Sequence, residues 1–139
     1  MRETVLLYNF KDEKRAAAAK RALVLLGVRI RMVEKKDYLK PVGVLAGLPD
    51  ERDGDWSEYG GEEFAEEMMV IAGMTSRRID MLLAGLRKSG VGRVNLKAVL
   101  TPSNCLWDSV KLYGELEEEH RRMNPVKEEP GKDTGSCNF

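Results

Sequence analysis

Two short, almost unbroken apolar runs, Thr4-Val5-Leu6-Leu7-Tyr8-Asn9 and Met68-Met69-Val70-Ile71-Ala72, constrain this chain more than any other feature. A strand that is apolar on both faces has to lie in the middle of a sheet, with layers above and below it. Each run leads into a helical pattern. The first is Ala-rich, from about Asp12 to Leu26, and ends at Gly27; the second is capped by Ser76, carries Ile79, Leu82, Leu83 and Leu86 on one face, and closes at Gly90. Each glycine then gives way to alternating residues, Val28-Arg29-Ile30-Arg31-Met32-Val33 and Val94 to Leu100. Alternation means one face buried and one in water, the position of an edge strand.

Two central and two edge strands imply an α/β protein with one four-stranded sheet, built from two βαβα halves. With helices in every connection, right-handed crossovers give a parallel sheet of order 2-1-3-4. The alternative is a ferredoxin-like antiparallel α+β sandwich of order 4-1-3-2. The parallel form is favoured, because residues 34–67 carry helical turns of their own around Tyr38, Pro41 and Leu45, which a plain hairpin link does not need. Residues 4–46 and 68–123 follow the same element sequence and read as pseudo-repeats joined by an acidic loop. Together they make a single domain over residues 1–123, and the Pro-, Gly- and Lys/Glu-rich stretch 124–139 reads as a disordered tail.

At 139 residues the chain can bury a core without a metal or disulfide staple. No apolar run approaches the roughly 20 residues of a membrane span, and no signal peptide is evident, so a cytoplasmic protein without membrane contact is expected. Cys105 and Cys137 lie outside any paired-ligand spacing and read as free thiols. Residues 1–47 hold 11 basic and 5 acidic side chains, whereas residues 48–139 hold 12 and 18. The opposite signs favour docking of like subunits, hence a homodimer. Basic residues without interleaved aromatics give no nucleic-acid signature.

In a parallel sheet the ligand crevice opens at the carboxyl ends of the first and third strands. Asn9 would lie there beside Thr75, Arg77 and Arg78. Two arginines in a helix's first turn oppose its dipole by about 0.3–1 kcal/mol each, a cost that an anion reverses; the plainer reading pairs them with the Asp50–Glu67 loop or with water. Thr101 and Asn104 would face the same edge, with Asn104 capping the last helix and Cys105 at its first position, where the dipole favours thiolate. The sole histidine, His120, lies about 22 Å further along that helix by rise per residue, so no Cys–His pair forms within one subunit. His120 falls in the apolar arc and reads as half-buried, bonded to Glu117 or Tyr113. The Asp50–Asp55 loop lacks the alternating ligands of a calcium loop, so no metal and no cofactor is expected.

The string Leu96-Lys97-Ala98-Val99-Leu100-Thr101-Pro102-Ser103-Asn104, followed by Trp107, Tyr113-Gly114-Glu115-Leu116 and Glu119-His120, resembles the bacterial family called domain of unknown function 3783. Upstream, Thr4 to Asn9, Gly27 to Arg31 and Asp37-Tyr38-Leu39-Lys40-Pro41-Val42-Gly43 resemble full-length clostridial-type members, so the likeness covers about residues 3–123. It implies a bacterial cytosolic origin but transfers no activity. Its pattern directs attention to Asn9, Tyr38, Pro41, Lys97, Thr101, Asn104, Trp107 and His120. Neither a cysteine at position 105 nor a lysine at position 40 belongs to that pattern, which weakens a catalytic role for Cys105. The leading expectation is therefore a small-ligand-binding or regulatory module that accepts a small anion or a partner segment. The alternative is an enzyme acting on an anionic substrate through Lys97, Cys105 or His120 as acid, base or nucleophile.

Overall fold

The computed structural model describes residues 1–52 and 54–123. The tail expected over 124–139, with Cys137, lies outside the described residues. The elements run β1 (Thr4–Tyr8), α1 (Glu13–Leu26), β2 (Arg29–Val33), α2 (Val42–Leu45), β3 (Met68–Ala72), α3 (Ser76–Ser89), β4 (Leu96–Val99) and α4 (Ser109–Met123), with 3₁₀ turns at Lys35–Asp37 and Asn104–Leu106.

Local chemistry accounts for the helix ends. Asp12 caps α1 by accepting from the N–H groups of Lys14 and Arg15, and Thr75, rather than Ser76, caps α3 by accepting from Arg78. Gly27 and Gly90 close the two helices in the left-handed conformation, at φ 75° and 97°, where a side chain would be strained.

The sheet has the order β2-β1-β3-β4. β1 pairs with β2 in parallel and β3 with β4 in parallel, but the central β1–β3 pair is antiparallel, with Leu6 opposite Val70. The expected strand order is present and the expected all-parallel direction is not. The ferredoxin-like alternative fails on order, since each edge strand lies next to its own βαβ partner. The direction turns on residues 34–67. Their helical pieces are three and four residues long, about 6 Å each at the rise of such helices, whereas a five-residue strand spans about 17 Å. They are too short to carry the chain back along the sheet. β2 therefore ends, and β3 begins, at the same end of the sheet, and the link lies across one face.

The sheet thus separates two apolar layers. Val5 and Leu7 of β1 and Met69 and Ile71 of β3 pack with Ala18, Ala19, Ala22 and Leu23 of α1 and Leu82 and Leu86 of α3. On the other face Leu6, Tyr8, Met68, Val70, Leu96 and Ala98 pack with α2, Phe64 and α4 residues Leu112, Tyr113 and Leu116. All five residues of β1 and of β3 are buried, as continuous apolar runs require, while the edge strands are only partly covered. Aromatic rings fasten the 34–67 link to α4. Phe64 stacks between Tyr38 and Tyr113, with centroids at 4.3 and 4.0 Å, and the Tyr113 hydroxyl accepts from the N–H groups of Ala65 and Glu66.

Candidate functional site

β4 is the strand on which the candidate chemistry converges, because its alternating residues face different layers. Leu96 and Ala98 point into the α4 layer, whereas Lys97 takes part in a cleft with Leu83, Leu86, Arg87, Gly92, Arg93 and Val94 on the α3 side. Leu100 donates its N–H to Ile71 of β3 at 2.8 Å, so in a parallel ladder the backbone groups of Val99 and Thr101 face away from the sheet.

Those outward groups are closed by one side chain. The Asn104 carboxamide accepts from the Thr101 N–H at 2.9 Å and donates to the Val99 carbonyl at 3.1 Å, which is the pair of bonds a further strand would make. The buried Thr101 hydroxyl in turn accepts from the Asn104 N–H at 3.0 Å. Thr101 and Asn104 therefore latch the open edge of β4. Asn104 does not cap the last helix, as its position in the sequence suggested. The helix breaks at Trp107, which is extended at ψ 150°, and α4 restarts at Ser109, where Asp108 accepts from the Lys111 N–H. The break is held by the Pro41 turn: Val42 donates to the Trp107 carbonyl, Ser109 donates to that of Tyr38, and Pro41 forms a bridge with Asp108.

Beyond the latch an open groove of about 400 Å³ runs between β4 and α4, lined by Ala98, Val99, Thr101, Ser103, Asn104, Trp107, Leu112, Glu115, Leu116, Glu119 and Arg122. Its floor is apolar and its rim holds two carboxylates against one guanidinium. The Lys111 ammonium lies over the Trp107 ring at 4.7 Å and pairs with Glu115 at 3.8 Å, so the indole face and the rim carboxylate already suit a cation.

Other candidates are dispersed. With β1 and β3 antiparallel, Asn9 lies at the opposite end of the sheet from Thr75, Arg77, Arg78, Thr101 and Asn104, and the single crevice expected from the parallel arrangement does not form. Asn9 takes φ 60° and donates to the Phe64 carbonyl at 2.7 Å. Tyr38 is buried and bonds to Glu63. Arg78 makes a two-pronged ion pair with Glu3 and donates to the Leu26 carbonyl, holding the Glu3 carboxyl below its ordinary range. Arg77 is exposed.

The three residues of the enzymatic alternative are not brought together. Lys97 is half-buried and donates to the Val94 carbonyl at 2.7 Å; burial, then the nearby Arg93, pushes its ammonium below the usual lysine range. Cys105 sits in the 3₁₀ turn, not at an α-helix start, and its thiol donates to the Pro102 carbonyl. It packs on Gly43, where a Cβ would lie 2.9 Å from the Cys105 carbonyl oxygen. His120 is half-buried in α4, and the Tyr113 hydroxyl offered as its partner is engaged by Ala65 and Glu66.

Glu67 was missed as a positioning residue. It takes a two-pronged pair from Arg15, with contacts from 2.6 to 3.1 Å, while Arg15 also donates to the carbonyls of Val91 and Arg93. The clamp fixes the loop that forms one wall of the Lys97 cleft. Nothing in the local sequence signals it, since the partners are 52 residues apart.

Among the described residues no helix is long and apolar enough to cross a membrane. Residues 67–123 match the family model described as a domain of unknown function, DUF3783. Neither a curated protein nor a solved structure matches the chain.

Proposed function

We propose that the family-matched segment works as a docking module, and that the groove between β4 and α4 receives an extended segment of a partner protein bearing lysine or arginine. One observation carries the reading: β4, the turn that follows it and α4 together line a single groove, from Ala98 through Trp107 to Arg122. Its chemistry supports the choice of occupant. Glu119 on the rim attracts a cationic side chain, which can also replace Lys111 over the Trp107 ring and at Glu115, and the apolar floor from Leu112 and Leu116 takes an aliphatic neighbour. A small anion, the ligand favoured by the sequence, finds fewer partners here than a cation does. The latch also sets how the segment lies, because Asn104 already occupies the bonds of Val99 and Thr101. The segment docks through side chains along the groove and does not extend the sheet.

Selection of displayed random peptides on the protein tests this. Basic extended peptides are expected to bind the parent, to shift amide resonances of residues 98–107 and 112–122, and to lose affinity with Trp107→Ala and with Glu119→Lys. Peptides that bind the parent and both variants alike, or a selection that yields no basic consensus, would refute it.

A further inference from the structure

On the opposite side of β4, the cleft at Lys97 has a different character. It measures about 320 Å³ and combines three apolar walls, Leu83, Leu86 and Val94, with three cations, Arg87, Arg93 and Lys97. No acidic side chain is among its lining residues. We propose that this cleft is a binding site for a small organic anion with an apolar body, its carboxylate held by Lys97 with Arg87, and its hydrocarbon part against Leu83, Leu86 and Val94.

Three features support the assignment. The Lys97 ammonium has three donors, and one of them is spent on the Val94 carbonyl. Burial holds the Lys97 ammonium below the usual lysine range, a cost that an anion seated in the cleft would offset. The cleft is also preformed, since the Arg15–Glu67 clamp holds the carbonyls of Val91 and Arg93 and so fixes the loop that presents Gly92, Arg93 and Val94. Lys97 and Arg87 serve the anionic head and the leucines its body, which sets this cleft apart from the groove, where carboxylates line the rim.

Titration of the full chain with hexanoate, acetate, 1-hexanol and inorganic phosphate, followed by amide resonances and thermal unfolding, tests the proposal. Hexanoate is expected to saturate, to move the Gly92, Val94 and Lys97 amides and to raise the melting temperature. Acetate lacks the body and hexanol lacks the charge, so each should bind about tenfold more weakly or not at all. Lys97→Met keeps the aliphatic stem and should cost about tenfold in hexanoate affinity; Arg87→Gln, at an exposed position, gives a second variant should the first disturb the strand. Trp107→Ala should leave hexanoate binding unchanged, which keeps this outcome separate from that of the groove. Absence of saturable binding, or equal affinity in both cation variants, would overturn the site, and phosphate binding as tightly as hexanoate would overturn the role of the apolar walls.

Discussion

Replacing Asn104 with alanine removes two hydrogen bonds at once, from the Thr101 N–H and to the Val99 carbonyl. The bond from the Asn104 N–H to the Thr101 hydroxyl involves only backbone at position 104 and survives. A side chain to backbone bond contributes about 0.5–1.5 kcal/mol net, so the loss should be about 1–3 kcal/mol. Both bonds are only part-buried, which keeps the cost below that of fully buried orphans. With a urea slope of about 1–3 kcal/mol per molar for a small protein, a loss of 2 kcal/mol moves the unfolding midpoint by about 1 M at unchanged slope. Asn104→Asp separates the two bonds. It retains an acceptor for Thr101 but turns an oxygen towards the Val99 carbonyl, so it should be at least as unstable as the alanine variant at neutral pH and recover when the carboxyl is protonated. Hydrogen exchange at the Thr101 amide reports the latch directly and should accelerate in Asn104→Ala. An alanine variant as stable as the parent, with Thr101 still protected, would refute the assignment of Asn104 as the closure of this edge.

Arg15→Met should destabilise the fold by about 1–3 kcal/mol, as expected for losing a charge-assisted pair and its carbonyl contacts, and hydrogen exchange should localise the loosening to residues 91–94; even protection there would contradict the clamp. Gly43→Ala forces a methyl to within 2.8–3.0 Å of Leu48 and Cys105, an overpacking worth about 1–3 kcal/mol, and in a Cys137→Ser background Cys105 should react faster with a thiol reagent. Burial raises the hydroxyl pKa values of Tyr8 and Tyr38, with the Glu63 carboxylate adding to the shift at Tyr38. Their folded forms hold protons that the unfolded chain releases near pH 10. Stability from this source is complete below pH 10 and falls as pH rises above it, and alkaline denaturation should be less steep in Tyr8→Phe.

The sequence made strand types legible because burial leaves a direct trace in it. β1 and β3 had to be central, β2 and β4 had to be edges, and the glycine stops fell where the helices end. Strand direction was not legible, because it depends on which end of the sheet the 34–67 link returns to, and helical turns in that link do not fix its path. The site was legible in its residues more than in their work. Thr101, Asn104 and Trp107 do converge, but Asn104 was read as a helix cap because Asn is favoured both at caps and in bonds to nearby backbone. Choosing between those uses requires knowing that Trp107 is extended. Arg78 and Tyr38 looked like ligand-binding groups and are engaged by Glu3 and Glu63, partners no local pattern could name.

The antiparallel β1–β3 pair has a practical consequence for anyone handling the family-matched segment by itself. That segment starts one residue before β3, so a boundary drawn on sequence likeness runs between two hydrogen-bonded neighbours. Cut there, residues 67–123 would keep β4 latched on one side and present Met68 to Ala72 as a bare, wholly apolar border on the other, with Glu67 deprived of its arginine. Such a fragment would recruit a strand from whatever chain was nearest. The smallest piece suited to independent study therefore includes β1 and α1, and the recurrent sequence unit and the folding unit are different lengths of chain.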